Sequence, residues 1–157
     1  MMHKTMADIT AHALAALQRA GVDGAVAQEA AESCAFLEAC SYPGLRLLAE
    51  ALGDGRRDLV LVRDGMGFDL EQVSCVFIGP AVAAAVAADG RAFLRNVRHG
   101  LYLVPHSLKI NVAIGCPVDP AFALGGERTK NPYAEKLQLA QQNGVAVDQS
   151  VWQSLAR

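Results

Sequence analysis

No apolar run in this chain approaches the roughly 18 residues that a membrane-spanning helix needs. The best stretch, AVAAAVAA at 81–88, is far shorter. The start, MMHKTMADIT, has no apolar core of a secretory signal, so the expectation is a cytoplasmic protein with no membrane partner. Cysteines are few: Cys34, Cys40, Cys75 and Cys116, no two of them spaced C-x-x-C. That spacing argues against a zinc ribbon or a thioredoxin-type motif, and reduced, mostly buried thiols are expected. G-x-G-x-x-G, G-x-x-x-x-G-K-[ST] and G-x-S-x-G are all missing. Neither a nucleotide loop nor a hydrolase elbow is indicated, and no cofactor is expected. No stretch is basic enough to argue for nucleic acid.

What is present is apolar and rich in alanine: 52% hydrophobic residues against 19% charged, over 157 residues. Such a chain reads as a single domain that can bury about 70% of its unfolded surface without a metal or a disulfide. Net charge is −2, unevenly spread. Residues 1–90 carry 6 Lys and Arg against 12 Asp and Glu; residues 91–157 carry 8 against 4. The basic back half suits a small anionic ligand. Charge asymmetry and alanine-rich helices together favour a homodimer.

Periodicity divides the chain into a helical start, a central sheet and a helical end. Ile9, Ala13, Ala16, Leu17 and Ala20 recur at helical spacing over 6–20, with Gly21 placed to end that helix. Asp23 is placed to cap a second helix over about 24–40, facing inward through Val26, Ala30, Cys34 and Leu37. A third follows Pro43-Gly44 to Leu52. The period then changes. LVLV at 59–62 and VSCVFI at 73–78 read as strands, followed by a helix from Gly79-Pro80 to Ala88. AFLRNVR and LYLVPH flank His99-Gly100 as a hairpin, and Ile110, Val112 and Ile114 alternate as a further strand. Asn131 and Pro132 predict a helix start, Gly144 its end, and Asp148 the cap of a last helix. The expected fold class is α+β: a helical N-terminal layer (1–53) on a small, mostly antiparallel sheet (58–115, with one helix), then C-terminal helices over 131–157.

Two stretches are candidate ligand sites. In GGERTKNPY, Gly125 and Gly126 let backbone approach a ligand. Arg128 and Lys130 precede a helix whose N-terminus, at Asn131, offers unpaired N–H groups, a combination that holds phosphate or carboxylate. In the hairpin, Arg95 and Tyr102 share a face with His106, which suits anion binding or acid–base work. His99, His106 and Cys116 are metal ligands by residue type alone. Asp23, Glu29, Glu32 and Glu38 read as a solvated helix face.

The corner EACSYPGLRLL, from Glu38 to Leu48, carries a resemblance. Arg19-Ala20-Gly21-Val22, then a helix, then Gly44 and Leu48, resembles the N-terminal helical part of the type-2 malate/lactate dehydrogenases. That family holds its catalytic histidine in this corner. Aligned on Gly44, the histidine position is Pro43, and the family's aspartate, serine and arginine fall on Ser41, Tyr42 and Leu47. Proline transfers no proton, so that mechanism is absent and the corner reads as a turn, with Tyr42 and Arg46 able to line a pocket. Over a longer span, including the ending GVAVDQSVWQSLA, the chain is similar to an uncharacterised bacterial family. The expectation is a non-enzymatic module binding a small anionic metabolite or a protein partner. The resemblance implies an alternative, a small enzyme acting on hydroxy- or keto-acids.

Overall fold

The computed structural model describes residues 1–65, 67–89, 93–110, 113–116, 122–125 and 133–157; for 113–116 and 122–125 it describes the backbone. The fold is α+β, and the chain groups into two compact units. One comprises Met1–Gly53 with Pro132–Arg157, the other Asp54–Asn131.

The first unit is mainly helical. Helix α1 (Met6–Arg19) opens on a capping box: Thr5 Oγ1 accepts from Asp8 N at 3.0 Å, and the Asp8 carboxylate accepts from Thr5 N. Its inner face is Ile9, Ala13, Ala16 and Leu17; Ala20, expected with them, is half-buried at the C-cap. Gly21, at φ +88°, turns the chain out of it. Helix α2 (Gly24–Ala39) is buried more widely than one stripe, through Ala27, Ala30, Ala31, Cys34, Ala35 and Leu37. Val26, expected inside, is 41% exposed. Alanine on several sides lets neighbouring backbones come close, so the buried surface is broader than the larger side chains suggest.

Ser41, in the left-handed region at φ +66°, makes the corner. Tyr42 N–H donates to Leu37 O at 2.8 Å. Helix α3 (Gly44–Leu52) then begins so close to α2 that a Cβ on Gly44 would lie 2.6 Å from Cys34 O. Glycine is required there by space.

The C-terminal part of this unit adds α6 (Ala134–Asn143), β7 (Val145–Val147) and α7 (Gln149–Ser154). Gly144, at φ +74°, ends α6 as expected. Asp148 caps α7, its Oδ1 accepting from Ser150 N at 2.9 Å and Val151 N at 3.2 Å. Strand β7 pairs antiparallel with β1 (Met2–Lys4), Met2 opposite Val147. Neither strand was expected; three residues are too few to show a period. His12 stacks on Trp152 at 3.8 Å and donates from Nε2 to Trp152 O at 2.8 Å. Arg19 donates to Leu155 O. These contacts fasten α7 to α1.

The second unit departs further from the sequence reading. Strands β2 (Val62–Asp64) and β3 (Gly67–Asp69) form an antiparallel pair around Gly65. Helix α4 (Cys75–Asp89) then crosses to β4 (Phe93–Arg95), which runs parallel to β3. A 3₁₀ turn (Gly100–Leu103) and α5 (Val104–Ile110) lead to β5 (Ala113–Cys116), parallel to β4. Strand β6 (Phe122–Gly125) returns antiparallel. The sheet order is β2-β3-β4-β5-β6. Among the described residues, counting the β1–β7 pair, three of the five strand pairings are antiparallel, and the centre of the larger sheet is parallel.

Several expectations fail here. Of LVLV at 59–62 only Val62 enters a strand, and Ile110 ends α5 instead of opening a strand. VSCVFI is not a strand: Cys75–Ile78 is the first turn of α4, whose apolar residues lie on all sides. A short helix buried all round and a buried strand share one pattern, an unbroken apolar run. The hairpin about His99-Gly100 does not form, because Leu101–Leu103 turns into a buried 3₁₀ segment and α5. The sheet region therefore holds two α-helices where one was expected. Leu94, Leu101 and Leu103 are all buried, the last two by a helical route.

Candidate functional site

The corner between α2 and α3 opens into a cleft of about 800 Å³ within the first unit. The last turn of α2, the start of α3, helix α6 and the segment Gly144–Val151 line it. Leu45, Leu139, Val145 and Val151 give it apolar walls; Glu38, Arg46, Lys136 and Asp148 supply charge.

Each charged group has a local reason for its place. Glu38 lies four residues after the buried Cys34, on the inward side of α2, and is half-buried. Its Oε2 accepts from Leu45 N at 2.9 Å, so it caps α3, whose own N-cap residue, Pro43, makes no side-chain cap bond. Burial pushes the Glu38 carboxyl above its ordinary value. The N–H groups of Leu45 and Gly44 oppose that shift, Asp148 adds to it, and Arg46 opposes it. Asp148 lies below the usual carboxylate range, held first by the Ser150 hydroxyl and then by the N–H of Val151. Lys136 Nζ donates to Cys40 O at 3.3 Å, at the end of α2. The Cys40 thiol, 2% exposed, is pushed by burial up to about 11; it is no nucleophile at neutral pH. Arg46 is exposed in the first turn of α3 and has no ion-pair partner among the described residues.

Tyr42 closes one side. Its hydroxyl shares a hydrogen bond with that of Tyr133 at 3.3 Å, and Tyr133 meets the Phe36 ring edge-on at 5.7 Å.

No family model, curated protein or solved structure matches this chain. Function has to be argued from the cleft and from the placement of the other candidates.

Of the hairpin candidates Arg95, Tyr102 and His106, only Arg95 is exposed. Arg95 is exposed on β4 and pairs with Asp64. Tyr102, expected on the same face, is 1% exposed in the 3₁₀ turn. His106 lies in α5 against Gly79, where an added Cβ would sit 3.3 Å from the ring. Burial, with Lys109 nearby, drives the His106 pKa down to about 4. It stays neutral at physiological pH, unsuited to the acid–base role the hairpin would have given it. Gly125 ends β6; Gly126, Arg128, Lys130 and Asn131 lie outside the described residues. The helix they were expected to open begins at Ala134.

One pair that only the fold reveals is Ser74 and His99, Oγ to Nδ1 at 2.7 Å. Ser74 is fully buried and its Oγ also accepts from Val76 N, capping α4. A hydroxyl out of reach of any substrate acts as a helix cap, not a nucleophile. Among the described residues, no group of three or more His, Cys, Asp and Glu side chains is placed to hold a metal ion. No helix is long and apolar enough to cross a membrane among those residues.

Glu38, Lys136 and Asp148 were missed as site residues. The one local signal was the four-residue step from Cys34 to Glu38, which sets that carboxylate on the buried side of α2. Nothing in the sequence ties Lys136 or Asp148 to a corner about a hundred residues earlier.

Proposed function

We propose that this protein is a non-enzymatic binding module for a small organic acid, and that the α2–α3 corner cleft is its site. Arg46 carries the reading: a guanidinium lining a walled cleft, unpaired among the described residues. Arginine presents a planar fork that fits a carboxylate on two N–H bonds. Lys136, fixed by the Cys40 carbonyl, adds a second cation on the same cleft. The apolar walls suit the carbon frame of the acid.

The corner is thus more than a turn. It is also where the resemblance to the type-2 malate/lactate dehydrogenases falls, and that likeness supports binding more than reduction. Pro43 lines the cleft at the position where those enzymes keep a histidine, and no histidine is among the lining residues. A carboxylate can be held there; a carbonyl finds no imidazole to protonate it.

The test is ligand-dependent thermal stabilisation by acetate, butyrate and hexanoate. A ligand that binds the folded chain alone, at a hundred times its Kd, stabilises by about 2.7 kcal/mol. Hexanoate should raise the Tm of the wild type, and the paired substitution Arg46→Gln with Lys136→Gln should abolish the rise. A double variant stabilised as much as the wild type refutes the assignment.

A further inference from the structure

We propose that the ligand of the corner cleft is an amino acid on an apolar frame: Arg46 and Lys136 hold its carboxylate, and Glu38 and Asp148 hold its ammonium group. This rests on the reading of the cleft as a carboxylate site and narrows its ligand class.

The argument begins with a charge pattern. Two cationic and two carboxylate side chains line one cleft; Met1 lines it too, and its terminal ammonium helps to lower the Asp148 pKa. The four side chains come from four separate elements: the last turn of α2, the first turn of α3, the first turn of α6 and the cap of α7. Opposite charges so gathered would ordinarily close on each other. Here no ion pair joins any two of the four among the described residues; ion pairs form elsewhere, at Asp54, Asp58, Asp64, Glu71 and Asp89 among others. Charges held apart around a cavity leave room for a bridging molecule that carries both signs.

The two carboxylates also act on each other. Asp148 and Glu38 are close enough for the first to disfavour ionisation of the second. A cation between them relieves that repulsion. Asp148 Oδ1 is committed to α7, with bonds from Ser150 N, Ser150 Oγ and Val151 N, whereas Oδ2 takes none among the described residues.

Simpler ligands fit less well. A dicarboxylate brings a second negative charge to the Glu38–Asp148 side, and a plain amine meets Arg46 and Lys136. An amphoteric molecule satisfies both ends at once. Leu45, Leu139, Val145 and Val151 give its hydrocarbon part a surface to cover.

Titration calorimetry on the whole chain tests this with 4-aminobutyrate, 6-aminohexanoate and L-leucine against hexanoate, hexylammonium and adipate. At least one amino acid should bind about tenfold tighter than hexanoate, as one charge-assisted contact provides. Asp148→Asn keeps a cap acceptor for α7; it should weaken that amino acid about fivefold and leave hexanoate unchanged or tighter. Glu38→Gln keeps the acceptor for Leu45 N and should behave alike, so each variant checks the other. Adipate or hexanoate binding as tightly as every amino acid overturns the amphoteric ligand and leaves the carboxylate site standing. Binding of hexylammonium alone, or of none of the six, overturns both.

Discussion

Acid should loosen the second unit through one side chain, His106. It is 7% exposed in α5, packed on Gly79 of α4, and its pKa falls from an ordinary 6.5 to about 4 because burial disfavours the charged ring. The folded chain therefore takes up the proton later than the unfolded chain does. Above pH 6.5 both forms are neutral and His106 has no effect on stability. Between pH 6.5 and 4 the unfolded chain alone is protonated, so stability falls as pH falls, and below 4 the loss levels off. A gap of about two and a half pKa steps amounts to roughly 3 kcal/mol, a large share of the 5–15 kcal/mol typical of a domain. The ring's own proton resonances should titrate in the folded protein with a midpoint near 4. Hydrogen-exchange protection of the α4 and α5 amides should decline from pH 6.5 to 4.5 in the wild type, and less steeply in His106→Gln. A ring that titrates near 6.5 in the folded protein refutes the reasoning, whether or not the variant folds.

The remaining expectations concern packing. Gly44→Ala sets a Cβ 2.6 Å from Cys34 O and should cost about 2–4 kcal/mol in denaturant unfolding. Gly55→Ala, with nothing within 4 Å of the new Cβ, should stay within about 0.5 kcal/mol of wild type. Gly67→Ala puts a Cβ 1.6 Å from Phe93 O, so amide exchange across β3 and β4 should lose its protection. His12→Ala removes the ring stacked on Trp152 and the bond to its carbonyl; a loss of about 1–3 kcal/mol and a red shift of the single tryptophan's fluorescence should follow.

Some helix ends were legible in the sequence, although Asp23 makes no side-chain cap bond at α2 and α4 begins at Cys75, before the expected Gly79-Pro80. Gly21, Gly144 and the Asp148 cap act where the residue types place them, because a cap or a left-handed turn is settled within three or four residues. The inner face of α1 was equally plain, since its apolar spacing matches the helical period. VSCVFI and LYLVPH were misread for the opposite reason. Both are buried throughout, and an unbroken apolar run carries no period by which helix and strand can be told apart.

By itself the sequence determined the helical start, its corner and the α+β class. Tertiary structure decided the parallel centre of the sheet, the burial that keeps His106 neutral and the gathering of Glu38, Arg46, Lys136 and Asp148 around one cleft. The division has a physical cause. Caps and periods are satisfied by hydrogen bonds between near neighbours in the chain, whereas strand pairing, desolvation and a shared cavity depend on segments that meet only once the apolar faces have been buried.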